Sequence, residues 1–325
     1  MELVLFRTIW IWKGDFIMKA TQEKEADLGN SSIGKLLFKL ALPAILAQII
    51  NVMYNMVDRM YIGHIADVGP SALTGVGVTM PLIMAISAFA ALVSMGGAPR
   101  ASIMMGKGDK ETAEKILGNC TTMLVLMAAV LTAVILLFGK PILLMFGASD
   151  NTIGYAWDYM SIYAMGTIFV QISLGLNAFI NAQGYARTGM LTVAIGAVCN
   201  IILDPILIFG FDMGVKGAAL ATILSQAVSF VWVLRFLTSG KSFLRIRKGY
   251  LKLSADIILP CIGLGVSPFI MQFTESIISV CFNTSLLKYG GDIAVGAMTI
   301  MTSVMQFSML PLQGLTQGAQ PIISF

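Results

Sequence analysis

Asp58, Asp204 and Glu275 lie within runs that are otherwise uncharged and rich in apolar side chains. A charge at the centre of a bilayer costs at least about 2.5 to 3.5 kcal/mol. An acid placed there is expected to work by taking up and releasing a proton or a small hard cation. Asp58 has polar company on its own helix. At 100° per residue, Gln48, Asn51 and Asn55 fall within about 80° of it and Tyr54 lies about 40° to its other side. The amides of such a stripe can also bind helix to helix, but the ionisable group at its end favours ion chemistry. Arg59 points about 100° away from Asp58, so it either pairs with that acid or snorkels outward. Asp204 has Asn200 one turn earlier on the same face. Pro205 follows directly and cannot donate to the carbonyl of Ile201, which predicts a kink and a loose acceptor beside the acid. A carboxylate, an amide and a carbonyl make a nest for a proton or for a cation such as Na+. Asn177 and Asn181, also one turn apart, and Thr222 add polar groups whose other use is packing. Gly214, Ala218 and Thr222 form a small-residue ridge suited to close helix contact. Asp158 and Asp256 lie near span ends, within reach of headgroups or water.

The elements that position these groups follow from composition. Lys, Arg, Asp and Glu together make up 12% of the 325 residues, 57% are hydrophobic and the mean hydropathy is +0.84. A hydrocarbon core about 30 Å thick needs about 20 apolar residues per helix. Charge-free runs over 40–57, 71–99, 117–138, 159–186, 188–203, 217–234, 257–274 and 293–325 predict eight spans. Barrel strands would alternate apolar with polar residues, which these runs do not. With the N-terminus in the cytoplasm, 17 of the 21 basic residues fall on that side, leaving Arg59, Lys140, Lys216 and Lys288 outside, as the positive-inside rule expects. The net charge of +4 is thereby a topology signal, and no nucleic-acid partner is implied.

Residues 1–30 read as an N-terminal tail, with Met18 a candidate start and Ser31 or Ser32 a cap for the first helix. After span 2, the charges of RASIMMGKGDKETAEKILGN have helical spacing and suggest a short surface helix or a solvated connector. Residues 239–254, SGKSFLRIRKGYLKLS, suit an amphipathic linker lying on an anionic leaflet. They separate six spans (31–238) from a later pair (255–325). The later pair echoes the first: Pro43 and Gln48 match Pro268 and Gln272, and GGAP at 96–99 matches GAQP at 318–321, at an offset near 222 residues. Internal duplication of this kind is a signature of secondary transporters.

LALPAILAQIINVMYNMVDRMYIGH, GLNAFINAQGYARTGM, CNIILDPILIFGFDMGVKGAALATILSQ and PLQGLTQGAQPIISF resemble the multidrug and toxic compound extrusion (MATE) transporters from residue 31 to the end, and GGAPRASIMMGKGDKETAEKILGN is similar to the loop region after span 2 in bacterial members. The resemblance implies an antiporter in the cytoplasmic membrane of a bacterium. It would be built from two six-helix lobes and would exchange organic, often cationic compounds for protons or sodium. It places a cation site at Asp58, Asn177, Asn200, Asp204 and Thr222, with Glu275 similar to a further acid that NorM-type members carry in the seventh span. Asp58 and Asp204 would bind H+ or Na+ as coupling ion, with no cofactor, in a monomer whose drug site is apolar and rich in methionine. The family has twelve spans and eight are legible here, so the chain is expected to be a six-helix N-lobe with the first two helices of a second lobe.

Three rivals stand beside this reading. A lipid-linked oligosaccharide flippase of related architecture would line its cavity with cations for pyrophosphate, and the spans hold almost none. An intramembrane hydrolase needs a nucleophile with a base or a metal set. His64, the only histidine, reads as interfacial, and Cys120, Cys199, Cys261 and Cys281 read as small core residues without metal-ligand spacing. A piece of a longer protein that transports nothing by itself is the third.

Overall fold

A computed structural model describes residues 33–66 and 68–324, with some side chains in 279–307 outside that description. The N-terminal tail, the candidate start at Met18 and the caps at Ser31 and Ser32 lie outside the described residues, as does the side chain of Lys288. Helices account for the architecture, and no strand occurs among the described residues. In chain order they are α1 (Ile33–Gly63), α2 (Gly69–Gly106), α3 (Lys110–Met145), α4 (Ile153–Met165), α5 (Thr167–Ala182), α6 (Ala186–Pro205), α7 (Gly214–Thr238) and α8 (Ala255–Ser324). Six of these are long and apolar enough to cross a membrane, and a seventh span results if α4 and α5, bent by 59° at Gly166, count as one. Large apolar side chains such as Leu137, Phe138, Val231 and Ile270 face outward, which is the expected arrangement where the surrounding solvent is hydrocarbon. The protein is thus an all-α polytopic membrane protein.

Two local expectations meet specific outcomes. Pro43, Pro81 and Pro99 sit inside unbroken helices, whereas Pro205 ends α6 and hands over to a π-turn, Ile206–Gly210, closed by the Phe211 amide donating to the Ile206 carbonyl at 2.9 Å. A proline that removes one ladder bond is accommodated by widening the next turn. Neither a separate surface helix nor a long solvated connector follows span 2. Asp109 accepts from the Thr112 amide at 3.0 Å and caps α3 directly, and that bonding holds its carboxyl below the usual range. The charges that follow are the first turns of the span itself, with Glu111 and Lys115 paired at 2.8 Å.

Residues 239–254 dock onto the protein: Leu244 is buried against it, whereas Lys241, Arg245, Arg247, Lys248 and Lys252 stay exposed. Gln183 Oε1 accepts from the Leu244 amide at 2.8 Å and the Ser242 hydroxyl at 2.9 Å, Asn119 accepts from the Ser254 amide at 2.7 Å, and Thr122 donates to the Leu251 carbonyl at 2.6 Å. Arg247 pairs with the buried Glu114 at 2.6 Å, and the Arg245 amide approaches the same carboxylate at 3.4 Å. An irregular segment has unpaired backbone groups, and buried side chains at the start of α3 and in the α5–α6 turn satisfy them. Glu114→Ala is expected to cost about 1–3 kcal/mol by stripping these donors of their acceptor. Limited proteolysis should then cut 239–254 faster than in the wild type.

The helix α8 is helical along its whole length, yet it does not run straight. Gln272 and Gln317 line one cavity, whereas 45 residues of straight helix would separate them by about 68 Å. Its two arms pack reciprocally against α1 and α2. Gly96 meets the Cys261 backbone and Gly265 meets that of Leu92, so the first arm lies on α2; Gly318 meets Ala41 and Gly314 meets Ile45, so the second lies on α1. Each pair maps close to the other at the offset read from the sequence, which makes the two GGAP-like stretches equivalent crossing points. Glycine at the crossing lets backbones touch. The eighth span expected at 293–325 belongs to the second arm, part of whose side chains lie outside the described residues.

Candidate cation site within the bundle

Most of the side chains expected to gather do so at the junction of α1, α4, α6 and α7. Asp58 is one of the few buried residues of α1, at 6% exposure, while Asp204 on α6 is 0% exposed. The two acids are near enough for their charges to interact, and Tyr54 is within range of both. Asn200 donates from Nδ2 to Asp204 Oδ1 at 3.1 Å, the one-turn pairing that the sequence spacing implied. Thr222 on α7 is buried and donates to the Ala218 carbonyl at 3.0 Å. Arg59 does not pair with Asp58; it reaches out to the sulfur of Met80 at 3.5 Å.

The electrostatic character of the site comes from what its oxygens lack. Asp58 Oδ1, Asp204 Oδ2 and Asn200 Oδ1 are buried acceptors without a hydrogen-bond donor, and so is Asn177 Oδ1. Buried polar atoms are nearly always satisfied, and two carboxylates in low dielectric repel unless something positive joins them. Several converging oxygens with no donor fit a proton or a hard cation, whose ligands are oxygens. No set of three or more His, Cys, Asp or Glu able to hold a metal occurs among the described residues, so any cation here depends on amide, hydroxyl and carbonyl oxygens in addition to the two acids.

Asn177 stands slightly apart. It donates to the Gly189 carbonyl at 3.4 Å and, with Asn51, lines two cavities, one of about 50 Å³ that includes Tyr54 and one of about 250 Å³. Gln48 faces the larger cavity together with Asn181, Gln272, Gln317 and Gln320. Asn55 turns back on its own helix, donating to Asn51 at 2.7 and 2.9 Å. The polar stripe of α1 therefore divides: Asp58 serves the acid pair, Gln48 and Asn51 serve the cavities, and Tyr54 borders both. Glu275 is exposed and is not among the groups gathered at the acid pair; Ser276 takes the buried position beside it and donates to the Pro81 carbonyl at 2.9 Å. Asp158 pairs with Lys216 at 3.5 Å, and His64 Nδ1 lies 2.7 Å from the Met60 carbonyl at an exposed helix end.

Sequence reasoning missed Tyr159 and Tyr163. They stack at 6.2 Å with a 16° interplanar angle, and Tyr159 lies beside Asp58 and Thr222. The four-residue spacing on one helix face was the available signal. Ser173 and Gln226, joined at 2.8 Å, were also missed; they border the smaller cavity.

Residues 43–206 match the MatE family model. The Multidrug export protein MepA of Staphylococcus haemolyticus is 26% identical over 296 residues, covering 91% of this chain and 65% of that protein. MepA of Staphylococcus aureus (strain NCTC 8325 / PS 47) is 23% identical with the same coverage. The chain thus spans just under two thirds of the length of these curated relatives. Among solved structures, the MATE multidrug transporter DinF-BH superposes with a TM-score of 0.86 at 32% identity, over 93% of this chain and 68% of that one. An outward-facing MATE family transporter of the MOP superfamily superposes with a TM-score of 0.84 at 22% identity, over 92% and 66% of the two chains.

Proposed function

The chain belongs to the MatE family, and from that premise we propose that it serves a multidrug efflux antiporter which exports organic, often cationic compounds in exchange for protons or sodium ions. The observation that carries the proposal is the buried pair Asp58 and Asp204, each with a donorless carboxylate oxygen, beside the donorless Asn200 Oδ1. In this reading residues 31–238 form the N-lobe, 239–254 the linker and 255–325 the first two helices of the second lobe. The N-terminus lies in the cytoplasm of a bacterium, and the protein works as a monomer in the cytoplasmic membrane. The drugs are bound between lobes, and the cavity of about 250 Å³ bordered by α1, α2, α5, α6 and α8 is the part of that space this chain contributes.

The cycle follows from the chemistry of the pair. When the site opens outward it takes up H+ or Na+, held by Asp58 and Asp204 with Asn200 and Thr222 as neutral partners and Asn177 in the adjoining cavity. Neutralisation removes the repulsion between the acids, which lets α1 and α6 approach and changes the cavity that Asn51, Tyr54 and Asn177 border. Release of the ion inward restores the repulsion. A potential of 100 mV contributes about 2.3 kcal/mol per charge moved, a usable part of the work of uphill export. Glu275, exposed on the first arm of α8, is assigned no share in ion binding by this cycle.

The test is efflux. Expression of the full open reading frame in an efflux-deficient host, with ethidium or a fluoroquinolone as substrate and protons or sodium as the only gradient, should give extrusion above the vector control with one of the two. Extrusion with neither gradient contradicts the proposal.

A further inference from the structure

Two of the four cysteines meet where α2 and α3 touch α8. Cys120 near the start of α3 and Cys261 near the start of α8 are both fully buried, and their thiols are close enough to interact with each other. Adjacent glycines of α2 seat them. A Cβ at Gly97 would lie 2.6 Å from Cys120 Sγ, and one at Gly96 would collide with the Cys261 carbonyl. Arg100, one turn further along α2, donates to the Ile257 carbonyl at 3.2 Å and reaches Cys261 Sγ at 3.8 Å. Cys261 Sγ donates to that same Ile257 carbonyl at 3.1 Å, so the resting group is a thiol; once it gives up that proton, the thiolate faces the guanidinium, the setting in which a sulfur becomes nucleophilic. None of these groups takes part in the Asp58–Asp204 site. Buried cysteines are ordinarily inert packing, but two that converge from different segments beside a cation form a dithiol.

We propose that Cys120 and Cys261 are a redox-modification site, a dithiol that peroxide converts to a disulfide joining α3 to α8. The Cys261 thiolate attacks one peroxide oxygen, the O–O bond breaks, and the departing hydroxide leaves as water after taking up a proton. The product is a sulfenic acid at Cys261. The Cys120 sulfur then displaces its hydroxyl, forming the S–S bond and releasing a second water. Two thiols are oxidised by two electrons in all, and one peroxide is reduced to two waters. The pair lies at the end of the bundle assigned above to the cytoplasm, a reducing compartment in which such bonds are transient and respond to oxidants. A covalent tie there would hold the first arm of α8 against the six-helix bundle.

The experiment treats the chain in native membranes with hydrogen peroxide, then denatures it and counts thiols with a maleimide–polyethylene glycol that shifts gel mobility. The count should fall from four, the number of cysteines in the chain, to two, return with dithiothreitol, and give a peptide joining residues 120 and 261 by mass spectrometry. Cys199→Ser with Cys281→Ser should leave that link intact. Cys120→Ser should strand Cys261 as a sulfenic acid trapped by dimedone, and Cys261→Ser should abolish both the link and the dimedone adduct. Four labelled thiols after peroxide, or a link through Cys199 or Cys281, would overturn the proposal. None of these readouts requires transport, so the efflux reading and this one can fail separately.

Discussion

Asp204→Asn is expected to abolish gradient-driven efflux while leaving the protein folded. The substitution keeps the side-chain shape and keeps an oxygen for Asn200 Nδ2, which now bonds Asp204 Oδ1 at 3.1 Å. It removes the charge that attracts a proton or cation. Stability should change by no more than about 1 kcal/mol, since a neutral isostere replaces a buried group that holds one hydrogen bond, and surface expression should match the wild type. Substrate can still bind, so facilitated leakage down its own gradient persists, but accumulation against a gradient disappears. Asp58→Asn is expected to behave alike, and the double variant to lose no more than either single one, because the pair acts as a unit. Full efflux by both single variants, at wild-type expression, would remove the two acids from the mechanism. Thr222→Val should have a milder effect, because the Thr222 hydroxyl already donates to the Ala218 carbonyl.

The second large effect concerns the crossing of α2 with α8. Gly96→Ala places a methyl against the Cys261 carbonyl, and Gly265→Ala places one against Leu92. In both cases the obstacle is backbone, which cannot rotate away. Overpacking of this kind costs about 1–3 kcal/mol, and here it separates two helices along their whole contact. Thermal unfolding in detergent should show a clear loss for either variant. Gly318→Ala, whose Cβ would come within 2.5 Å of Ala41, should show the same loss at the reciprocal crossing. Gly77→Ala is the control. Nothing lies within 4 Å of its Cβ, and alanine is the better helix former, so its stability should equal or exceed that of the wild type. Equal melting of Gly96→Ala and Gly77→Ala would show that the crossing does not hold α8 in place.

Much of this architecture is legible in the sequence because a membrane constrains a chain so tightly. Apolar runs of the right length mark the spans, and the period of 3.6 residues puts Asn200 beside Asp204, since such pairs depend on one helix alone. The repeat at an offset near 222 residues is visible as two short stretches, and its meaning as two reciprocal glycine crossings needs the three-dimensional packing. What stays hidden in the sequence depends on contacts between distant segments. The docking of 239–254 rests on Glu114, Asn119 and Gln183, polar residues whose spacing along the chain announces nothing. Helical geometry alone does not decide Arg59 between Asp58 and the outside, and a methionine sulfur 21 residues away takes it. Tyr159 meets Asp58 and Thr222 from α4, the shorter arm of a span that bends by 59° at Gly166, and the uninterrupted apolar run over 159–186 announces no such break. Glu275 rests on likeness of motif alone, and the face on which it sits is exposed.

The central claim is that Asp58 and Asp204 together bind the coupling ion. Direct binding to the purified chain in detergent or nanodiscs tests it without requiring transport. Sodium binding is followed calorimetrically at a pH where the acids are ionised, and proton uptake is followed by potentiometric titration in the absence of sodium. The account predicts one saturable uptake of a proton or a sodium ion per chain in the wild type, lost in Asp204→Asn and in Asp58→Asn and retained in Glu275→Gln. Uptake that is unchanged by both aspartate substitutions would contradict it.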